Sequence, residues 1–251
     1  MADWRDLDDE LDAWRSDGRI ASFWWRDDDA VRPTEALERL LEIAAKTETP
    51  VALAVIPRDA TNSLAELVSR HPLASVLQHG WSHENHAPPS EREEEFGPHR
   101  PLPVMLGQLS TGWRRLADFP RAFPVFVAPW NRIDPHVRPY LPAAGLTGVS
   151  TLGPRKAAEP WPGIRCVNVH VDIIDWRGTR GFMGAGFVLD QVMSHLRARR
   201  VGEADASEPT GLMTHHCFHD EACWGFIEEF VSRTRAQPAV DWLSAKRAFW
   251  P

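Results

Sequence analysis

Apolar and polar positions along this chain switch repeatedly between a helical period and short unbroken apolar runs. Trp4, Leu7, Leu11 and Trp14 recur at three- and four-residue spacing over 4–16, which predicts an amphipathic helix within residues 1–18. Residues 20–26 form a short apolar run that closes on Asp27-Asp28-Asp29. Pro33-Thr34 then opens a helix with Ala36, Leu37, Leu40, Leu41 and Ala44 on one face. Runs at 51–56, 76–78, 123–127, 148–151, 167–171 and 211–214 read as strands, and helices are predicted over 63–70, 104–118, 135–144, 187–199 and 222–235. Apolar strands without alternation, separated by helices, indicate a parallel sheet covered on both faces. The expected fold is therefore α/β: a single domain over 1–251, a distorted (β/α) barrel of about seven parallel strands, with a doubly wound sheet as the other compatible arrangement. The polar, proline-rich stretch 87–103, which contains Glu93-Glu94-Glu95, reads as a long loop overhanging the site.

Five polar clusters fall at the C-terminal ends of predicted strands: Asp27–Asp29, His79, Trp130, Asp172–Trp176 and His215-His216. Parallel α/β folds gather functional groups there. Adjacent carboxylates raise each other's pKa or recruit a cation. His79 and His83, four apart, can meet on one helical turn or in a tight loop and offer two imidazoles to one metal. One carboxylate and two histidines leave a coordination position open, as catalytic zinc sites do. Each cluster also has a plainer reading: the aspartates as a helix N-cap group, each histidine ring bonded to backbone, His215-His216 as a polar strand end. The N–H after Pro129 is a candidate oxyanion donor. His215-His216 with His219 suggest either a general acid or a second metal site, with Asp172 and Asp175 placed to orient such a histidine.

Composition narrows the choice. A hydrophobic fraction of 43% and a charged fraction of 25% suit a soluble globular protein. A net charge of −7 argues against a duplex nucleic-acid binder. No apolar run is long enough to span a membrane, and the first residues carry no apolar signal region, so neither nucleic acid nor membrane is an expected partner. Three cysteines cannot all pair within one chain, and free thiols point to a cytoplasmic location. Twelve tryptophans stand against one tyrosine. Most of them should fill core and helix–barrel contacts, with sugar-stacking a role for the remainder.

Taken together, these elements resemble the polysaccharide deacetylases, the NodB-like metal-dependent N-deacetylases of carbohydrate esterase family 4, over about residues 20–220. The resemblance implies that Asp28 is the general base and Asp29 a metal ligand, with Asp27 an extra acidic residue. His79 and His83 match the family's His-(Ser/Thr)-x-x-His, with Gly80 at the Ser/Thr position. Pro129-Trp130 matches half of Arg-x-Pro-aromatic, and Val127 stands where the family has an arginine that holds the base. Arg26, Arg132 and Arg177 are the candidates to replace it. Asp172-Ile173-Ile174-Asp175-Trp176 resembles Asp-x-x-Asp-Trp, and Leu212/Met213 with His215 the last motif. The implied activity is removal of an N-acetyl or related acyl group from a small-molecule or oligosaccharide substrate that contains an amino sugar. His215, or His216, would protonate the leaving amine, the Trp130 N–H would bind the oxyanion, and Trp176, Leu212, Trp81 and His216 would contact substrate. Two nitrogens and one carboxylate favour zinc, with cobalt, nickel and manganese as alternatives. Two other readings stay open: a hydrolase of another small amide, and a non-catalytic sugar-binding relative, the latter prompted by Val127 and the tryptophan content.

Overall fold

The computed structural model describes residues 1–251. Strands β1 (Ala21–Ala30), β2 (Val51–Val55), β3 (Ala74–His79), β4 (Ala122–Val127), β5 (Gly148–Ser150), β6 (Arg165–Cys166), β7 (Val171–Asp172), β8 (Thr210–Thr214) and β9 (Val240–Leu243) belong to one sheet whose paired neighbours all run parallel. Along its path the order is β6-β5-β4-β3-β2-β1-β8-β7. The two ends of that row are one stretch of chain. Residues 165–169 bond to β5, with Val167 N–H donating to Val149 O and Val169 N–H to Thr151 O. At His170, whose N–H donates to Gly211 O, the same stretch crosses to β8. Counting 165–172 as one stave gives seven, the predicted distorted (β/α) barrel. Gly211 permits the closure, because a Cβ there would lie 2.6 Å from Val169 Cα and 2.7 Å from Asn168 O.

Helices α1 (Trp4–Ser16), α2 (Glu35–Lys46), α3 (Asn62–Arg70), α4 (Leu102–Leu116), α5 (Ala185–Val201) and α6 (Glu221–Arg235) surround the staves. Side-chain alternation divides each strand between two cores. Phe23, Trp25, Leu53, Val55, Val76 and Leu212 face the outer layer of helices. Trp24, Ala52, Ala54, Leu77, Val127 and Met213 face inward. The barrel's lower end is plugged by a segment the hydrophobic pattern does not reveal. β9 pairs with Ala21–Trp24 on β1, and helix α7 (Ala245–Phe249) adds Ala245, Ala248 and Phe249 to the inner core. Trp24 packs edge-on against Phe249 and donates its indole N–H to Asn168 O at 2.8 Å.

Candidate active site

Asp27–Asp29 lie inside β1 rather than past its end. Between Asp27 and Ala30 the β1–β2 register shifts, and Asp29 has a positive φ of 75°. Strict alternation would send Asp28 and Asp29 to opposite faces; a bulge re-aims one of them. Asp29 Oδ1 lies 3.2 Å from His79 Nε2 and 3.6 Å from His83 Nε2. Three ligands held at 2.0–2.1 Å from one tetrahedral ion would be about 3.3 Å apart. His79, the last residue of β3, donates from Nδ1 to Val127 O at 3.1 Å, because a carbonyl can only accept. That bond leaves the Nε2 lone pair of the neutral ring turned toward Asp29. Asp29 Oδ1 is buried without a hydrogen-bond partner. An orphaned buried oxygen facing two imidazole nitrogens fits a divalent cation. Burial alone would raise the Asp29 carboxyl, but the surrounding imidazoles, His79 foremost, outweigh it and hold Asp29 well below the usual range. Burial, with His79 beside it, lowers His83 to about 4, whereas Asp28 and Asp29 raise His79 against its own burial.

The loop carrying His83 is shaped by the last residue of the acidic run Glu93-Glu94-Glu95. Glu95, fully buried, accepts from the backbone N–H groups of Trp81, Ser82 and His83 and from the Ser82 hydroxyl, at 2.7–3.3 Å. Gly80 makes room for it: φ is +59°, and a Cβ there would sit 2.1 Å from Glu95 Oε2. A carboxylate from the 87–103 loop thus lies against the position where the resemblance calls for Ser or Thr. The one signal in the sequence was that missing hydroxyl.

Asp28 is 2% exposed and Arg26 not at all. The arginine, two residues earlier on the same inward face, grips the carboxylate in a fork, Nε to Oδ1 at 2.8 Å and Nη2 to Oδ2 at 2.9 Å. Its remaining N–H groups reach Ser150 Oγ at 2.8 Å and Asn131 Oδ1 at 2.7 Å. Of the three arginines considered as replacements at Val127, the structure selects Arg26, and the fork fixes the carboxylate's plane.

His215 Nε2 lies 3.9 Å from Asp28 Oδ2. The Trp176 ring meets His215 edge-on at 4.8 Å and donates its indole N–H to Asp172 Oδ2 at 2.8 Å. Burial raises the Asp172 carboxyl despite the nearby His215. Trp130 packs against His83 with ring centroids 4.2 Å apart. Of the seven non-glycine residues with positive φ, four (Asp29, His83, Trp130 and Asn131) belong to this cluster. Backbone strain of this kind collects at functional sites.

Four expectations are corrected. Leu212 belongs to the outer core, because β8 alternates so that Met213, not Leu212, faces inward. His216 does not face the site: its Nδ1 is 2.5 Å from Asp27 Oδ1 behind β1, and Asp27 overcomes burial to raise it to about 10. Asp175 spends both carboxylate oxygens on its own loop, accepting from the N–H groups of Gly178 and Thr179. Trp81, half-buried, packs against the apolar cluster that contains Phe96, Met105 and Leu109. A second grouping, His170, His195 and Glu208, also brings its ligand atoms within 4.8 Å of one another. It does not involve His215, where a second metal site was considered.

No family model matches the chain, and no curated protein matches it. Solved structures do. A candidate polysaccharide deacetylase from Mycobacterium smegmatis superimposes with a TM-score of 0.70 at 16% identity, covering 92% of this chain and 90% of that one. The chain has the polysaccharide deacetylase fold. A family 4 carbohydrate esterase from Streptomyces lividans, solved in complex with acetate, gives 0.55 at 14% identity over 88% and 90%. A family 4 pseudoenzyme from Bacillus anthracis gives 0.57 at 14% identity over 87% of this chain and 62% of that one. The fold therefore houses both active and inactive members, and only the site's chemistry can separate them.

Proposed function

We propose that this chain is a metal-dependent hydrolase that removes an N-acetyl or related acyl group from an amino-sugar substrate. The observation that carries the reading is the convergence of Asp29, His79 and His83 beside Asp28, with His215 opposite. Those first three residues would hold a divalent ion, zinc being the first choice, and the ion would supply Lewis acidity to the substrate carbonyl and acidify water. Asp28 is the proton acceptor. Arg26 uses one lone-pair direction on each of its oxygens, and the others remain for the water's proton. His215 returns a proton to the departing amine. The Trp130 N–H is assigned to the carbonyl oxygen, and Trp176, steadied by Asp172, to the acyl group. The non-catalytic reading drew on an absent arginine at Val127, and Arg26 supplies that guanidinium from β1.

Acetate release from chitin oligomers, peptidoglycan fragments and nucleotide sugars, before and after chelation, tests the proposal. Release that stops on chelation and returns with added zinc or cobalt supports it. Cleavage of small or cyclic amides alone would favour the other hydrolase reading, and inertness toward the whole panel would refute both.

A further inference from the structure

Asp27 has no counterpart in the motif that Asp28 and Asp29 resemble, yet it is fully buried. It pairs in register with Thr214 across β1 and β8. Its Oδ2 accepts the Thr214 hydroxyl at 2.7 Å and the His216 N–H at 3.1 Å, and its Oδ1 takes His216 Nδ1 at 2.5 Å. One carboxylate thereby holds the residues on both sides of His215. The His215 ring has no such hold: Nδ1 is buried without a partner, and the backbone N–H goes to His219 Nε2 at 3.3 Å. The ring's placement, 3.9 Å from Asp28, is set by the backbone that carries it and by the edge of Trp176.

We propose that Asp27 is a positioning residue that, through Thr214 and His216, sets the general acid His215 against the base Asp28. The inference rests on the hydrolase reading above. Because Asp27 and Asp28 are consecutive on one strand, a single stretch of backbone fixes both base and acid. The His216 side chain is 1% exposed and Asp27 not at all, so the pair works entirely from behind the site.

A leaving group that needs no proton separates positioning from mere support of the fold. Amide cleavage requires an acid at the departing nitrogen, whereas 4-nitrophenolate leaves unaided. Asp27→Asn should lower kcat on an N-acetylglucosamine oligomer by about 10²-fold, the scale of a 1 Å misplacement. Hydrolysis of 4-nitrophenyl acetate and metal content should stay near wild type. His216→Asn, whose amide N–H can replace Nδ1–H, should retain most amide activity, and His216→Ala should not. Thr214→Val, a milder change, should shift the amide-to-ester ratio in the same direction. In metal-free protein the His215 ring nitrogen resonances should move in Asp27→Asn and hold in His216→Asn. Amide and ester rates falling together, or an unchanged amide rate in Asp27→Asn, would overturn the inference while leaving the hydrolase reading intact. Wild-type protein inert on both probes would overturn the hydrolase reading, and this inference with it.

Discussion

Two clusters in this barrel contain the same ingredients, two histidines and a carboxylate with ligand atoms within 4.8 Å of one another, and their ring geometries differ. At Asp29, His79 and His83 the imidazole planes are tilted by 53° with centroids 5.0 Å apart, so both Nε2 lone pairs can converge on one point. Val127 O fixes the His79 tautomer that leaves Nε2 free. At His170, His195 and Glu208 the rings lie stacked 3.4 Å apart and within 12° of parallel, so their in-plane lone pairs cannot aim at a common centre. There His170 Nδ1 accepts the Gly211 N–H, which places the neutral ring's proton on Nε2, facing Glu208. Glu208 is itself tied to the N–H groups of Arg155 and Asn168. Residue types permit a site; ring orientation and tautomer decide it.

Substitutions at the two clusters should separate them most widely. Asp29→Asn or His79→Ala should lose both the ion and acetate release to background, while His195→Phe should keep both, as read by elemental analysis and turnover. Asp28→Asn should retain the metal and lose about 10²–10⁴-fold in kcat, isolating proton transfer from ion binding. Glu95→Gln should weaken metal affinity by about 10–100-fold in a chelator competition, because it loosens the loop that presents His83. Leu212→Ala should cost about 2–5 kcal/mol in denaturant unfolding and leave kcat of the folded protein unchanged, as befits the outer core.

The smallest effect concerns pH. Burial lowers His170, and it lowers His195 to about 2, from an ordinary value of 6.5. A histidine depressed in the folded state contributes stability that is present above 6.5 and lost as the unfolded chain takes up protons below it. Thermal stability should therefore decline from about pH 6.5 downward, and less steeply in His195→Phe.

Much of this was legible in the sequence, for identifiable reasons. Unalternating strands between amphipathic helices announced the parallel barrel, and polar residues at or near strand ends marked the rim where the candidate site lies. Arg26 and Asp28 stand two apart on one strand, so their shared face was readable in principle, yet three arginines remained open because the sequence does not state which way a strand faces. The same parity misplaced Leu212, since Leu212 and Met213 are equally apolar and a one-residue choice exchanges core for lumen. Glu95 reaches the His79–His83 loop across a fold of chain that no local pattern encodes. The terminal strand and plug, β9 and α7, are short and mixed in polarity, so their periodicity is weak.

The central claim is that this chain holds one divalent ion between Asp29, His79 and His83. Elemental analysis of the purified wild-type protein beside His79→Ala and His195→Phe tests it most directly. The account predicts one equivalent per chain in wild type and in His195→Phe, and none in His79→Ala. An equivalent that survives His79→Ala, or one that disappears with His195→Phe, would contradict it.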